Sequence, residues 1–315
     1  FSRALDLSQQ VYESNSQNAS ARLIMADSYL SLGQYQQAET IYNDLNESNS
    51  SPALLARLAN LAELEGDSDL ALQLIRRAAA ETLHTSGTRE NTAWYLLRVG
   101  DIYFNRGELR EAGAFYEASL RVFQNYHLAY AGLGKVRAAQ ENYSEAIMYY
   151  QKAVDIVPQP EFLAALGDIY MFTDQPEQSA IQYETVEYIG KLAALNQQVY
   201  NRQLANFYSD HDSKVEAALH LALTELSERK DIYGYDAAAW AYYQNGKFEQ
   251  AEKMMEQSLA LGTQDALLYY HAGMIAHALH NDQQARQYLE QALAINPHFS
   301  IMHAEEARKT LDSIK

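Results

Sequence analysis

The 315-residue sequence has no cysteine, and it holds only 5 prolines, 14 glycines and 2 tryptophans. Without cysteine this segment forms no disulfide, thiolate nucleophile, Cys-ligated zinc site or iron–sulfur site. The compartment stays open, because a chain of this length buries a large core without disulfide staples. No apolar run approaches the ~18 residues that a membrane span needs, and the mean hydropathy is −0.38. Basic residues are in deficit: 24 Lys and Arg stand against 41 Asp and Glu, for a net charge of −17. An acidic surface repels phosphate backbones, which argues against nucleic acid as a partner. The first residue is Phe1 rather than Met, so a signal peptide or anchor upstream would be invisible here.

What the sequence does have is alanine, 47 residues, and tyrosine, 24 residues. Both follow a period. Polar turns at Leu32–Ala38, Asn105–Ala112, Gln140–Ala146 and Asn245–Ala251 superimpose, each ending on a small residue. Upstream of such turns a small residue precedes an aromatic by three places, as in Gly100/Tyr103, Gly167/Tyr170, Ala205/Tyr208 and Ala239/Tyr242. Downstream the small residue precedes a large one by four, as in Ala38/Tyr42, Ala112/Tyr116, Ala146/Tyr150 and Ala251/Met255. At 100° per residue these spacings put small and large side chains on one helix face, where the small one admits a neighbouring helix.

These residues resemble the tetratricopeptide repeat, a 34-residue helix–turn–helix unit. In that frame position 8 is Ala26, Ala59, Gly100, Gly134, Gly167, Ala205, Ala239 and Gly273, and position 20 is Ala38, Ala71, Ala112, Ala146, Ser179, Ala217, Ala251 and Ala285. The resemblance implies an all-α, right-handed superhelical solenoid. Eight units are expected over residues 19–52, 53–84, 93–126, 127–159, 160–192, 198–231, 232–265 and 266–298. Residues 1–18 read as the second helix of a truncated repeat, which suggests that the natural chain continues upstream. Residues 299–315 read as a capping helix that covers the last apolar face. An insertion is expected around residues 84–90, and a longer step within residues 188–199.

In this family the first helices line a concave face. Along it the sequence offers Asp27, Asn60, Glu63, Asp101, Phe104, Lys135, Asp168, Arg202, Asn206, Tyr233, Trp240 and Tyr243. Five of the eight position-9 residues are Asp or Asn, resembling the ladders with which peptide-binding repeats hold an extended backbone. The aromatics toward the C-terminal half are anchor candidates. The family's basic clamp for chaperone C-termini is absent, since only Arg202 with Asn206 approaches it. Asp101 and Lys135, in adjacent units, are expected to form an ion pair. His277 and His280, at i and i+3, are the only spacing read as suited to a metal, with Glu305 or Glu306 as possible carboxylates. Asp101 and Asp168 are two repeats apart, roughly 20 Å by helix-packing distance, too far to share one glycosidic bond.

The expectation is a non-catalytic protein–protein interaction scaffold without a cofactor. It binds an extended, basic or backbone-exposed segment in the groove and inserts no part of itself into a membrane. Two alternatives remain: an extracytoplasmic metal-binding protein that uses the late histidines, and a self-associating structural array. The stretch from Asn201 onward resembles exported bacterial repeat proteins, which tilts the expected location away from the cytoplasm.

Overall fold

The structure is a computed structural model that describes residues 1–48, 50–83, 88–195, 201–211 and 213–314. The described residues form eighteen helices and no strand. A first helix α1 (Ser2–Ser14) precedes eight hairpins. These are α2 (Ala19–Ser31) with α3 (Tyr35–Ser48), α4 (Pro52–Leu64) with α5 (Ser68–Leu83), α6 (Arg89–Asn105) with α7 (Leu109–Val122), and α8 (His127–Ala139) with α9 (Tyr143–Ile156). The second four are α10 (Pro160–Phe172) with α11 (Pro176–Leu195), α12 (Asn201–Asp210) with α13 (Val215–Glu228), α14 (Ile232–Gln244) with α15 (Phe248–Ser258), and α16 (Ala266–Ala278) with α17 (Asp282–Ile295). A last helix, α18 (His303–Ser313), closes the array. The insertion expected at residues 84–90 lies mostly outside the described residues, as does the end of the longer step before α12. The helix leading into that step, α11, runs to 20 residues.

Local chemistry sets the helix ends. Ser51 caps α4 by accepting from the Leu54 amide, with Pro52 in the first turn, where its missing N–H costs nothing. Asn18, Thr88, Asn142, Asp231, Asp265 and Asn281 cap their helices in the same way. In seven of the eight hairpins the turn places one residue in the left-handed region at φ between 58° and 80°: Gly33, Gly66, Gly107, Glu141, Asp174, Gly246 and His280. His280 is thus the turn residue of the last hairpin.

The small residues do what their spacing implies, with one correction. Position 8 is buried in all eight hairpins, and position 20 in seven. In the sixth hairpin Ala217 is exposed and Ala218 is the buried residue. The turn there, with Lys214 at φ 51°, is one residue longer and shifts α13 by one place.

At position 8 of the third, fourth and fifth hairpins the packing partner is a tyrosine ring of the second helix, whereas Gly273 in the eighth faces Leu289. A Cβ on Gly100 would lie 2.6 Å from the Tyr116 ring, one on Gly134 2.6 Å from Tyr150, and one on Gly167 2.4 Å from Tyr183. Each ring therefore rests on bare helix backbone. The aromatic at position 11 packs beside it, as Tyr103 stacks on Phe115 at 5.5 Å.

The solenoid closes on itself. The turns of the first three hairpins meet the connections that follow the sixth, seventh and eighth. Tyr35 Oη accepts the Ile232 amide at 2.9 Å, Thr263 Oγ1 donates to the Leu64 carbonyl, and Asn296 Nδ2 donates to the Phe104 carbonyl at 2.8 Å. Gly33 and Gly66 are needed at this seam for a second reason besides their φ of +74° and +80°: a Cβ on either would lie 2.4 Å from a carbonyl oxygen, of Lys230 or Gly262.

Replacing Gly167 by Ala should destabilise the protein by about 1–3 kcal/mol, because the Tyr183 ring must leave its seat. Gly113→Ala, whose nearest neighbour is 3.8 Å away in mid-helix, should be neutral or stabilising by up to about 1 kcal/mol. Denaturant titration of both variants checks this, and equal effects would contradict the seat.

Candidate functional site

Closure turns the concave groove into a lumen walled by the first helices of the hairpins. Three of its carboxylates are held from behind by tyrosines of the second helices. Tyr42 Oη donates to Asp27 at 2.6 Å, Tyr116 to Asp101 at 2.9 Å and Tyr183 to Asp168 at 2.7 Å. Each tyrosine lies 15 residues after its aspartate, so the pair repeats with the hairpin. A hydrogen bond to a charged group contributes about 1.5–3 kcal/mol and fixes the rotamer of the acceptor.

Further partners surround these acids. Arg57 grips Asp27 through Nε and Nη2 at 2.7 and 2.8 Å. Arg98 bridges Glu63 at 2.6 Å and Asp101 at 3.0 Å. His211 Nε2 lies 2.7 Å from Asp168. Burial alone would lower the His211 pKa, but Asp168 outweighs it and raises it.

Asp101 and Lys135 do not form the expected ion pair, since Asp101 is engaged by Arg98 and Tyr116. The Lys135 ammonium instead sits 4.2 Å from the centroid of the Phe104 ring. Lys135 reaches solvent yet is ringed by protein, and desolvation pulls its pKa down against the nearby Asp101 and Asp265. The same desolvation pushes Glu63 and Asp265 up.

The other sequence candidates fall into distinct places. Asn60 is half-buried on α4, and Asn206 lines the main cavity. Arg202 also borders that cavity, but its guanidinium is tied to Asp231 at 2.8 Å and to Glu225 at 3.5 Å. Tyr233 remains 37 % exposed beside a smaller cavity of 340 Å³ at the closure seam. Phe104 and Trp240, at 2 % and 3 % exposed, are part of the wall rather than open anchors. Trp240 stacks between Tyr243, at 4.7 Å, and His271, at 4.2 Å. His277 lies 3.4 Å from Asp282, and among the described residues no group of three His, Asp or Glu side chains could hold a metal ion.

Sequence reasoning missed a polar cluster where α12, α14, α16 and α18 meet. Trp240 Nε1 donates to Asp210 at 2.9 Å, and His303 Nε2 lies 3.3 Å from the same carboxylate oxygen. Tyr270 Oη donates to Glu306 at 2.5 Å, and His303 Nδ1 is 3.7 Å from Glu306. His271 Nδ1 is 2.7 Å from Asp236. Burial alone would lower the His303 pKa, but Asp210 and Glu306 outweigh it and raise it to about 9. Both carboxylates are lowered in turn: Asp210 despite its burial, and Glu306 chiefly through His303. The available signal was positional, because Asp210 is at position 13, another groove-lining place of the repeat.

A cavity of 890 Å³ lies between the first helices α8, α10 and α12 and the segment from Pro297 to Lys309. Lys135, Asp168, Asn206, Asp210, His211 and His303 supply its polar wall, and Phe172, Phe207, Phe299 and Ile301 are among its apolar residues. A cavity of this size matches sites that take a peptide side-chain cluster or a small molecule.

An all-helical solenoid of stacked hairpins with a lined lumen defines a helical-repeat protein. Models of the tetratricopeptide repeat match residues 1–61, and again 91–159 and 237–298. The chain belongs to the tetratricopeptide repeat family, whose repeats generally mediate protein–protein interactions and typically form non-catalytic scaffolds. No curated protein matches it. Among solved structures it is similar to a tetratricopeptide repeat protein from Parabacteroides merdae, at 17% identity and a TM-score of 0.45, over 84% of this chain and 98% of that one. It is also similar to a chain of the APC/C hetero-tetramer Cut9–Hcn1, at 18% identity and a TM-score of 0.48, over 98% of this chain and 58% of that one. A third likeness is to BtubC from P. vanneervenii, at 17% identity and a TM-score of 0.48, over 62% and 89%. Among the described residues no helix is long and apolar enough to cross a membrane.

The His303 cluster generates a pH dependence. A histidine whose pKa is raised by folding contributes stability that is fully present below its unfolded value, near 6.5, and lost as pH rises through about 9. Wild-type stability should therefore decline between about pH 6.5 and 9. His303→Gln should be less stable by about 1–3 kcal/mol at pH 6 and should fall less steeply than wild type across that window, keeping only the slope that the raised His211 contributes. Denaturant midpoints measured at five pH values check this, and parallel curves for the two proteins would contradict it.

Proposed function

We propose that the protein is a non-catalytic interaction scaffold that takes an extended segment of a partner protein along the first helices α8, α10 and α12. The single observation that supports this most is the 890 Å³ cavity on that face, whose wall holds both polar and apolar side chains. Asp168 is oriented by Tyr183 and His211, so it is presented at little entropic cost to a backbone N–H or a basic side chain. Asn206 adds a side chain with both donor and acceptor at the neighbouring position-9 place. The acidic balance of the chain, −17 overall, favours a basic or backbone-exposed segment over an acidic one. Phe104 and Trp240 are almost wholly buried in the wall, so the partner meets the polar rim and the apolar patch around Phe172 and Phe207.

An array of random decapeptides probed with the labelled protein tests this reading. Asn206→Arg, which fills the cavity, should reduce binding of the selected peptides at least tenfold. Glu184→Arg, on the outer helix α11, should leave it within twofold. Equal binding by wild type and Asn206→Arg would overturn the proposed face.

A further inference from the structure

One segment of the chain already sits on the proposed face. After α17 the backbone does not pass directly into the cap but crosses the lumen. Asn296 pins the start of this arm to the Phe104 carbonyl at 2.8 Å, and its own Oδ1 accepts the His298 amide at 2.9 Å. Phe299 packs on Tyr270, with ring centroids 5.6 Å apart. Ser300 Oγ accepts the amides of Met302 and His303, both at 3.2 Å, which turns the chain into α18. Between those anchors Ile301 packs against the core cluster of α8, α9 and α10. Met302 enters a second cavity, of 440 Å³, beside Phe172, Tyr183, Phe207 and His211.

The arm therefore occupies the face that the family uses as a groove, with two adjacent aliphatic side chains on a turn. It does not fill that face. The 890 Å³ cavity remains between the arm and the first helices, and Phe299, Ser300, Ile301 and Met302 are all only half-buried. A solenoid cap that only covered the last apolar face would need α18 alone, whose Ala304 and Ala307 are buried against the array. The excursion of residues 297–302 into the lumen is extra to that task.

We infer that the face of α8, α10 and α12 recognises a short partner segment that presents two adjacent aliphatic side chains after an aromatic, and that this chain's own Phe299–Met302 arm competes for the same place. The inference rests on the proposed groove and names what the groove accepts. A partner must displace Ile301 and Met302, so the arm sets a threshold on affinity. His303 and Asn296 hold its two ends, and release of the middle leaves both pins in place.

The test uses the full chain and, as probe, a fluorescein-labelled peptide with the sequence of residues 296–304. Binding is followed by fluorescence anisotropy. Ile301→Ser/Met302→Ser should bind the peptide at least tenfold more tightly than wild type. Adding Ala164→Arg, which projects into the groove from α10, should abolish that binding. Circular dichroism establishes that the variants keep their helix content. If the double variant loses it, Met302→Ser alone must show the same order with a gain of about threefold. No gain over wild type in the folded variant, or binding that survives Ala164→Arg, overturns the inference. The outcomes separate cleanly from those of the peptide array. Array peptides that are lost on Asn206→Arg while the arm peptide fails to bind would sink the arm's role and leave the groove standing. Array peptides indifferent to Asn206→Arg would sink the groove itself.

Discussion

The contact on which the rest of the molecule depends is the seam where the first three hairpin turns meet the connections almost two hundred residues later. A stack of hairpins is quasi-one-dimensional, and each unit normally touches only its neighbours. Here Tyr35 with Ile232, Leu64 with Thr263 and Phe104 with Asn296 add lateral contacts between distant units. Leu64 is itself buried in one cluster with Ile232, Leu268 and Ala272. The open groove becomes a lumen, and charges that would be freely hydrated on a groove are partly stripped of water. The raised carboxyls of Glu63 and Asp265 and the lowered ammonium of Lys135 share this cause.

A second device makes the lumen specific rather than merely polar. Gly100 and Gly167, at position 8, each admit a tyrosine ring onto the bare helix, and the hydroxyl of that ring reaches the aspartate one residue further along. Packing between helices and orientation of a groove carboxylate are therefore the same structural event in the third and fifth hairpins. The fourth shows the exception. Tyr150 is seated on Gly134 in the same way, but position 9 there is Lys135, whose ammonium turns to the Phe104 ring instead. The Lys135 ammonium, bound to no carboxylate among the described residues, thus stands at the cavity that the C-terminal arm borders.

The period was legible in the sequence because it is a packing rule. Small residues at two places per unit survive any change of surface, and all eight position-8 residues are buried. The single slip, Ala217 for Ala218, came from one extra residue in a turn, which periodic counting absorbs without notice. The aspartate ladder is legible as positions but not as partners, since nothing in the spacing ties Tyr42, Tyr116 or Tyr183 to the acid 15 residues before it. The seam was not legible at all, because it depends on the pitch accumulated over six units and not on any local pattern. Nor was the arm, whose residues read as the start of a capping helix. Asn296 and Ser300 are ordinary turn residues until the lumen wall is in place beside them.

Closure is the claim that everything else inherits, and a distance measured in solution tests it most directly. Spin labels at Gln36 and Glu228, both exposed and on opposite sides of the seam, report on it by pulsed electron–electron resonance. The closed solenoid predicts one narrow, short distance distribution that persists at physiological salt. A broad distribution centred at a long distance would mean that the hairpins form an open spiral, and the lumen with its held carboxylates would not exist as described.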